Sequence, residues 1–253
     1  MRIAVCVKHA VDEAELKAGS DGAPVLAGAA CKMSTFDKNA VEEALRLKSA
    51  HSGEVIAVTV GPADARRTLK EALAMGADRG VIVGSDAPSA DTSRTAGLLA
   101  AAVKKAGPFD LVVCSEGSSD TYSGQVPPML AEALGVPYVG YVRKLQVDGG
   151  VARAERLLED SVEEVEAPVP LVVSVVSEIN EPRYPTLIQI MQASKKQVEE
   201  YSQDQLGVPT RPASVRVTRM AMQTSNRKRV TVEGSPEEAA SKLVQALEQE
   251  GVL

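Results

Sequence analysis

Short apolar runs alternate along the chain with longer segments in which apolar residues recur every three or four positions. The runs 3–7, 55–60, 80–83 and 111–114 are rich in Val and Ile, and the segments 40–49, 63–75 and 92–105 are rich in Ala and Leu. Strands covered on both faces have continuous apolar sequences, and a crossover helix must connect parallel neighbours. The pattern predicts a doubly wound parallel α/β sheet over about the first 140 residues.

The pattern changes to alternation between residues 141 and 166. Asp148-Gly149-Gly150, in the middle of this segment, is a strong hairpin signal. We therefore expect an antiparallel extension of the sheet that ends in the apolar strand 171–176.

The tail between Gln197 and Glu233 has too little apolar content to form a core of its own. We therefore divide the chain into an α/β domain, 1–196, and an arm, 197–253, that we expect to lie along another surface. A helix at 236–248, with Ser235 as its N-cap, is predicted to end the arm.

The composition narrows the possible function classes. The chain has 253 residues and a net charge of −6 with interspersed charges, so it lacks the basic stripe that nucleic-acid binding requires. Three cysteines and two histidines, without metal-ligand spacing, predict reduced thiols and no metal site. No leader precedes the first strand and no apolar run approaches about 20 residues, so we expect a cytoplasmic protein without a transmembrane segment.

The loop after the run 111–114 predicts a phosphate-binding site. It leads into a helix at 126–134 with Pro127 near the first turn, and hydroxyls, open backbone N–H groups and a helix start favour a phosphate. Small polar residues are also common in ordinary strand-to-helix turns, so both interpretations stay open, although the carboxyl end of a sheet strand favours a ligand. The candidates are Ser118, Ser119, Asp120, Thr121, Tyr122, Ser123, Gly124 and Gln125.

Motifs that would indicate an enzyme are missing from the sequence. No Gly-x-Gly-x-x-Gly follows a strand, and no Walker sequence occurs. Two histidines allow no Ser-His-Asp or Cys-His set, and His9, after the first strand, is interpreted as structural. We nominate no catalytic residue.

The segment 180–193 predicts an exposed docking element. Pro182 and Pro185 prevent a regular strand or helix there, and Leu187, Ile190 and Met191 then share one face of a short helix. A stiffened apolar face beside Lys195-Lys196 suits a protein partner. Alternatively, these apolar residues pack onto their own subunit, and the lysines are ordinary solvated charges.

This segment resembles the signature of the electron transfer flavoprotein β-subunit family. The resemblance is carried by Asn180-Glu181-Pro182-Arg183-Tyr184 and by Ile190-Met191-Gln192-Ala193. Further matches lie earlier in the chain, in the order in which the family has them, at Val7-Lys8, 40–48, 61–63 and 72–79. The resemblance implies a Rossmann-like fold of the adenine nucleotide alpha-hydrolase type.

The resemblance also implies a structural AMP in the loop 118–125. Three further segments would complete the site. They are the first strand with Cys6 and Lys8, the segment before the first long helix with Ser34, Thr35, Phe36 and Asp37, and the end of the second strand with Val60. Without the resemblance, Cys6 would be a small buried hydrophobic residue, and Ser34 and Asp37 would be helix caps.

As a member of this family, the chain would be an electron carrier rather than an enzyme. It would pair with an α subunit that holds most of the redox FAD, accept electrons from acyl-CoA dehydrogenases of fatty acid β-oxidation, and pass them to an acceptor such as a quinone oxidoreductase. The implied partner-binding residues are Asn180, Glu181, Pro182, Arg183, Tyr184, Leu187, Ile190 and Met191. Leu187 corresponds to the leucine that enters a pocket on the dehydrogenase.

The chain departs from the family pattern at two places. Glu13 replaces an aromatic residue found near the flavin in some relatives, and Glu155-Arg156-Leu157-Leu158-Glu159-Asp160-Ser161 replaces a Glu-Arg-x-x-Asp-Gly-Gly motif.

Two alternative functions remain. In an electron-bifurcating protein, a second FAD would replace AMP and exchange hydride with NADH; the run from Asp120 to Pro127 matches that version only in part. A stand-alone nucleotide-binding module would need no partner.

Overall fold

The computed structural model describes residues 1–85, 91–209, 212–213, 215–222 and 229–253. The chain divides into two units, Met1–Met220 and Ala221–Leu253. Parts of the predicted arm, namely 210–211, 214 and 223–228, lie outside the described residues.

A nine-stranded sheet organises the first unit, in the order β11-β5-β4-β1-β6-β10-β7-β8-β9. All pairs from β11 to β7 are parallel, and β7, β8 and β9 pair antiparallel. Its strands are β1 Arg2–Cys6, β4 Glu54–Gly61, β5 Arg79–Gly84, β6 Leu111–Ser115, β7 Tyr138–Asp148, β8 Val151–Leu157, β9 Val162–Pro168, β10 Leu171–Val175 and β11 Val198–Ser202. A separate antiparallel pair is formed by β2 His9–Val11 and β3 Cys31–Met33. The predicted α/β fold with a parallel sheet is confirmed.

Helices cover both faces of the sheet. Successive residues of each strand point to opposite sides, and both sets are apolar, so both faces have to be buried. The first unit contains α1 Thr35–His51, α2 Arg66–Met75, α3 Thr92–Ala106, α4 Val126–Leu134 and α5 Leu187–Ala193. Ile3 and Val5 of β1 join one core cluster with the apolar faces of α1 and α2. Ala4 and Cys6 join a second cluster with α3 and α4. The strands are therefore apolar on both faces, as the continuous runs in the sequence indicate.

The predicted hairpin is confirmed at its turn. Gly149 and Gly150 connect β7 to β8 with φ of 55° and 83°, as a two-residue turn with positive φ at both positions requires. The apolar strand β10 does not end the antiparallel extension, and that expectation was wrong. It lies between β6 and β7 and is parallel to both, because it is buried along its whole length and therefore needs a neighbour on each side.

Helix α1 and the sheet extend further than the sequence predicts, and one strand pair was not predicted. Helix α1 begins at Thr35, five residues before the predicted start at residue 40, and the pair β2 and β3 precedes it. Strand β11 pairs with β5 beyond residue 196, so the sheet itself continues to Ser202.

The second unit contains one described helix, α6 Pro236–Gln249. Ser235 is its N-cap as predicted: its hydroxyl accepts a hydrogen bond from the Glu238 N–H, and the Glu238 carboxylate accepts one from the Ser235 N–H. Within the described ranges, no helix has both the length and the apolar sequence needed to cross a bilayer.

Candidate nucleotide site and docking segment

A cleft opens at the carboxyl edge of the sheet, where the strand order reverses. The chain runs from β1 through α1 and α2 to β4 and β5, and then returns through α3 to β6 on the other side of β1. Open α/β sheets bind ligands at such a switch point because the connections diverge there. The ends of β1, β4 and β6 and the starts of α3 and α4 line the cleft.

Part of the predicted nucleotide set lies together in this cleft. These residues lie at or after the ends of β1, β4 and β6 or in the first turn of α1, and they are Cys6, Lys8, Asp37, Val60, Ser118, Thr121, Ser123 and Gly124. Gly124 has a φ of 64°, which favours glycine, at the end of the loop that leads into α4. The space at the ends of β1 and β4 is thus also lined by the start of α4 and by Ser118, Thr121, Ser123 and Gly124.

Other predicted residues stand behind the cleft wall rather than in it. The Ser34 hydroxyl accepts a hydrogen bond from the Ser119 N–H at 3.1 Å, so Ser34 supports the loop and does not cap α1 with its side chain. The Ser119 hydroxyl is buried without a partner in the described part of the chain. Thr35 is exposed at the start of α1, and the Gln125 side chain accepts a hydrogen bond from the Thr92 hydroxyl at 2.8 Å.

Lys8 attaches the loop to the end of β1. Its ammonium lies 2.6 Å from Asp120 Oδ1, 3.2 Å from the Ser118 hydroxyl and 3.1 Å from the Thr121 hydroxyl. Burial alone would raise the pKa of Asp120, but hydrogen bonds from Lys8, Ser118 and the Val11 N–H hold that pKa below its usual value. The Asp120 carboxylate therefore acts inside the loop as the counter-ion of Lys8.

Asp37 is a buried carboxyl at the floor of the cleft, only 3% exposed. It accepts a hydrogen bond from the Lys8 N–H at 2.6 Å and contacts the Ser115 hydroxyl at 2.5 Å. Its side chain therefore joins α1 to the ends of β1 and β6, and the interpretation of Asp37 as a helix cap was wrong. Burial raises its pKa to about 7, although hydrogen bonds from Lys8 and Ser115 act in the opposite direction.

The Tyr122 ring packs on the loop from outside the cleft. Tyr122 has a φ of 44°, and its ring centroid lies 5.3 Å from that of Phe36. A Cβ on Gly117 would lie 2.7 Å from the Tyr122 ring, so only glycine allows this packing. Both rings border a second, more open cavity with Glu116, Tyr141 and Glu178, which the sequence did not indicate.

Several lining residues were missed by sequence reasoning. They come from elements that meet the loop only in the folded chain, and they are Gly61, Pro62, Thr92, Thr95, Leu99, Cys114, Ser115 and Gly117. Ser115 and Gly117 lie between the run 111–114 and the candidates 118–125, so their position directly after a strand could have indicated them. Thr92, Thr95 and Leu99 lie on α3, and no local feature of that helix distinguishes its cleft side.

The cleft has two chemically different parts that fit an adenine nucleotide. Cys6, Val60 and Leu99 offer apolar surface for a base. Thr121 and Ser123 offer hydroxyls next to the N-terminus of α4, where partial positive charge favours a phosphate. The donor set therefore fits AMP or the adenylate part of a larger cofactor.

The first part of the docking segment is anchored internally. The Arg183 guanidinium donates to both Glu42 oxygens, at 2.7 and 2.8 Å, and the Arg183 N–H donates to Oε2 at 3.2 Å. Asn180 donates to the Asn39 carbonyl at 3.1 Å and to the Glu43 carboxylate at 3.2 Å. The side chains of Asn180 and Arg183, predicted to contact a partner, therefore hold the segment onto α1.

The second part of the docking segment is open to solvent. Helix α5 packs against α2 through one side, where Ala193 is buried. The apolar residues on its other sides remain exposed, with Leu187 at 80%, Met191 at 74% and Ile190 at 49%. Tyr184 is 91% exposed, and Glu181 is exposed whereas Pro182 is half-buried. The residues that the structure describes therefore leave most of this apolar face uncovered.

The two lysines that follow α5 differ in their surroundings. Lys196 donates to the carbonyls of Leu73 and Ala77 at 2.8 and 2.6 Å, at the C-terminal end of α2. Burial lowers its pKa. Lys195 is exposed.

His9 and Glu13 lie where the chain leaves β1. His9 Nδ1 is 2.9 Å from the Thr68 hydroxyl, and burial lowers the His9 pKa. His9 also lines the cleft, whereas Glu13 is exposed. The contact with Thr68 gives His9 a structural partner on α2.

Comparisons with known proteins agree on one family. The model of the electron transfer flavoprotein domain matches residues 25–206. A Clostridium acetobutylicum protein named electron transfer flavoprotein subunit beta is 34% identical over 99% of both chains. A protein of the same name from Bacillus subtilis is 35% identical over 99% of this chain and 98% of the relative. Another from Thermoanaerobacterium thermosaccharolyticum is 36% identical over 86% of both chains. Because the relatives match over nearly the whole length, the chain belongs to the β-subunit family of electron transfer flavoproteins.

Proposed function

We propose that this chain pairs with an α subunit to form an electron carrier that holds AMP in the cleft and docks dehydrogenases through α5. The observation that carries the nucleotide part is the convergence of the Thr121 and Ser123 hydroxyls and the α4 N-terminus on the carboxyl ends of β1 and β4. FAD, held mainly by the α subunit, supplies the redox chemistry when bound, and this chain supplies binding and partner contact.

In this proposal the residues of the cleft divide the recognition of AMP between them. Cys6, Val60 and Leu99 hold the adenine by apolar contact, and the hydroxyls of Thr121 and Ser123 hold the phosphate at the start of α4. The Ser118 hydroxyl donates to Asp120 at 2.7 Å, so it supports the loop instead. Lys8 fixes the loop, because its ammonium already has Asp120 as a partner at 2.6 Å. The AMP is structural, since no group in the cleft has to react with it.

The docking part rests on the exposed face of α5. Leu187 and Met191 expose most of their surface on a helix whose start is fixed by a capping box between Thr186 and Gln189. The Arg183 fork and the prolines reduce the conformational freedom of the segment before binding, which lowers the ordering entropy that a transient complex has to overcome. A donor of the acyl-CoA dehydrogenase type, with an apolar pocket for Leu187, is the proposed partner.

The nucleotide proposal is tested by cofactor content. The chain is co-expressed with its α subunit, the purified complex is denatured, and released FAD and AMP are counted per heterodimer. One FAD and one AMP are expected. Two FAD molecules and no AMP would instead indicate the electron-bifurcating alternative, with NADH as donor.

The partner proposal is tested by the mass of the chain in solution. Expressed alone, it is expected to bind an added α subunit and to shift to the mass of the heterodimer. A stable monomer that ignores the α subunit would support the stand-alone nucleotide-binding module and contradict the carrier.

The docking proposal is tested with two variants of α5. Leu187→Ala is expected to slow reduction of the heterodimer by an acyl-CoA dehydrogenase roughly tenfold or more, with cofactor content unchanged. Ile188→Ala is the matched control, because Ile188 is 67% exposed on the same helix but lies about 100° away around its axis. Equal rates in wild type and Leu187→Ala would contradict the docking role.

A further inference from the structure

The Ser115 hydroxyl has one hydrogen but two acceptor partners. Its oxygen lies 2.5 Å from Asp37 Oδ1 and 2.8 Å from the Gly117 carbonyl oxygen. Both side chains are buried, Ser115 at 7% and Asp37 at 3% exposure. Solvent therefore does not readily replace either contact.

The count of hydrogens determines which protonation state fits this geometry. If Asp37 is ionised, the hydroxyl can donate to the carboxylate or to the Gly117 carbonyl, but not to both, and one buried acceptor faces a lone pair. If Asp37 is protonated, it donates to Ser115, and Ser115 donates to Gly117. Both short distances are then hydrogen bonds.

The surroundings of Asp37 make its protonated and ionised forms similarly populated at neutral pH. Burial has the largest effect and raises the Asp37 pKa to about 7, while the Lys8 N–H, the Ser115 hydroxyl and the Lys8 charge act to lower it. Asp120 adds a like charge, but it is paired with the Lys8 ammonium. The Cys114 thiol also faces Asp37 and stays protonated, because the neighbouring Cys6 thiol and burial raise its pKa.

We propose that Asp37 is a proton-carrying positioning residue of the nucleotide cleft, whose protonated form holds the Gly117 carbonyl through Ser115 and whose ionisation weakens the binding of an anionic nucleotide. This inference rests on the proposed nucleotide function. Ionisation acts in two ways: it adds a negative charge to the floor of the cleft, and it takes from Gly117 the donor that fixes the start of the loop 117–124.

The test compares wild type with Asp37→Asn in the nucleotide-stripped heterodimer. An asparagine amide accepts from the Lys8 N–H and donates to Ser115, so it reproduces the hydrogen bonds of the protonated carboxyl without a titration. AMP affinity is measured by calorimetry at about pH 6 and about pH 8. Wild-type affinity is expected to fall roughly fivefold between these pH values, as a one-unit rise of the Asp37 pKa on binding implies, whereas Asp37→Asn stays near the low-pH value.

Three controls separate this effect from other causes. The phosphate of AMP itself titrates, but this affects the affinity of both proteins equally. The affinity for adenosine should depend less on pH, because adenosine carries no phosphate. Glu132→Gln removes one charge from the exposed side of α4 and should keep the wild-type pH dependence. Ser115→Ala leaves the carboxyl in place and should lower AMP affinity at pH 6 toward the wild-type value at pH 8.

A readout without nucleotide tests the proton directly. Infrared spectra of wild type should show the C=O stretch of a protonated carboxylic acid that disappears with a midpoint near neutral pH and is missing in Asp37→Asn. The same pH slope of AMP binding in wild type and Asp37→Asn, or the lack of that band, would overturn the inference. If wild type binds no AMP at any pH, the proposed function fails instead, and the infrared titration still decides whether Asp37 carries the proton.

Discussion

At the scale of single residues, Asp37 couples folding to pH in the direction opposite to an ion-paired carboxylate. Its folded pKa of about 7 lies above the ordinary value of 3.8, so between these values the folded state binds more protons than the unfolded state. The free energy of unfolding contributed by Asp37 is therefore fully present below about pH 4 and is lost as the pH rises through 7. Over this window the loss is on the order of 4 kcal/mol.

Urea unfolding between pH 4 and pH 8 checks this prediction. Asp37→Asn should flatten the decline of stability with rising pH, because the amide keeps the hydrogen bonds and does not ionise. An unchanged slope in Asp37→Asn would show that other groups cause the decline.

Gly117→Ala tests the packing between the loop and Tyr122. Gly117 is not among the glycines with positive φ, so the added methyl causes no backbone strain and acts only by displacing the ring, 2.7 Å away. We expect a loss of about 1–3 kcal/mol in the free energy of unfolding and weaker nucleotide binding. The double variant Gly117→Ala/Tyr122→Ala should recover most of the binding loss, measured by calorimetry; no recovery would mean that the ring is not the obstacle.

At the scale of elements, the docking segment depends on one ion pair between positions distant in sequence. The Glu42 side chain is 8% exposed, and the Arg183 fork also opposes the effect of burial so that the Glu42 pKa stays below its usual value. Arg183→Met should leave a buried carboxylate without its partner and reduce the free energy of unfolding by about 1–3 kcal/mol. Amide exchange of residues 180–186 should accelerate at the same time.

Arg153→Met is the matched control for this prediction. Arg153 forms an ion pair of similar length with Glu166, but both side chains are about 60% exposed. Its removal should change the free energy of unfolding by less than about 1 kcal/mol. Similar effects of the two substitutions would contradict the role given to burial.

The order of strands and helices could be predicted from the sequence because it depends on local patterns. Continuous apolar runs gave β1, β4, β5 and β6, and two glycines gave the turn between β7 and β8. The place of β10 between β6 and β7 could not be predicted, since apolar sequence shows that a strand is buried but not which neighbours it has. The pair β2 and β3 is too short, with three residues in each strand, to give a periodic signal.

The site was predictable to the extent that it follows strand ends. Lys8 and Val60 line the cleft because parallel strands present their carboxyl ends at one edge. Thr92 and Thr95 could not be found, because they reach the cleft from α3. Arg183 and Glu42 are 141 positions apart, so no local pattern pairs them, and the family resemblance implied a partner contact for Arg183 instead.

At the scale of the whole molecule, the division after Met220 predicts that the first unit folds without the second. Helix α6 has no buried residue, so a chain ending at Met220 should keep its melting temperature within about 4 °C of the full chain. The same truncation should weaken association with the α subunit, if the arm lies along that partner as we expect. Differential scanning fluorimetry and calorimetric titration measure the two effects, and a truncated chain that fails to fold would contradict the division.

The different environments of Lys195 and Lys196 have a consequence for chemical labelling. Lys196 uses its ammonium to donate to two carbonyls at the end of α2, whereas Lys195 is exposed. Amine-reactive reagents should therefore acylate Lys195 first and reach Lys196 only when the last turn of α2 opens. The ratio of the two labelled peptides in mass spectrometry would therefore report how often the hydrogen bonds of Lys196 to the end of α2 open in the native protein.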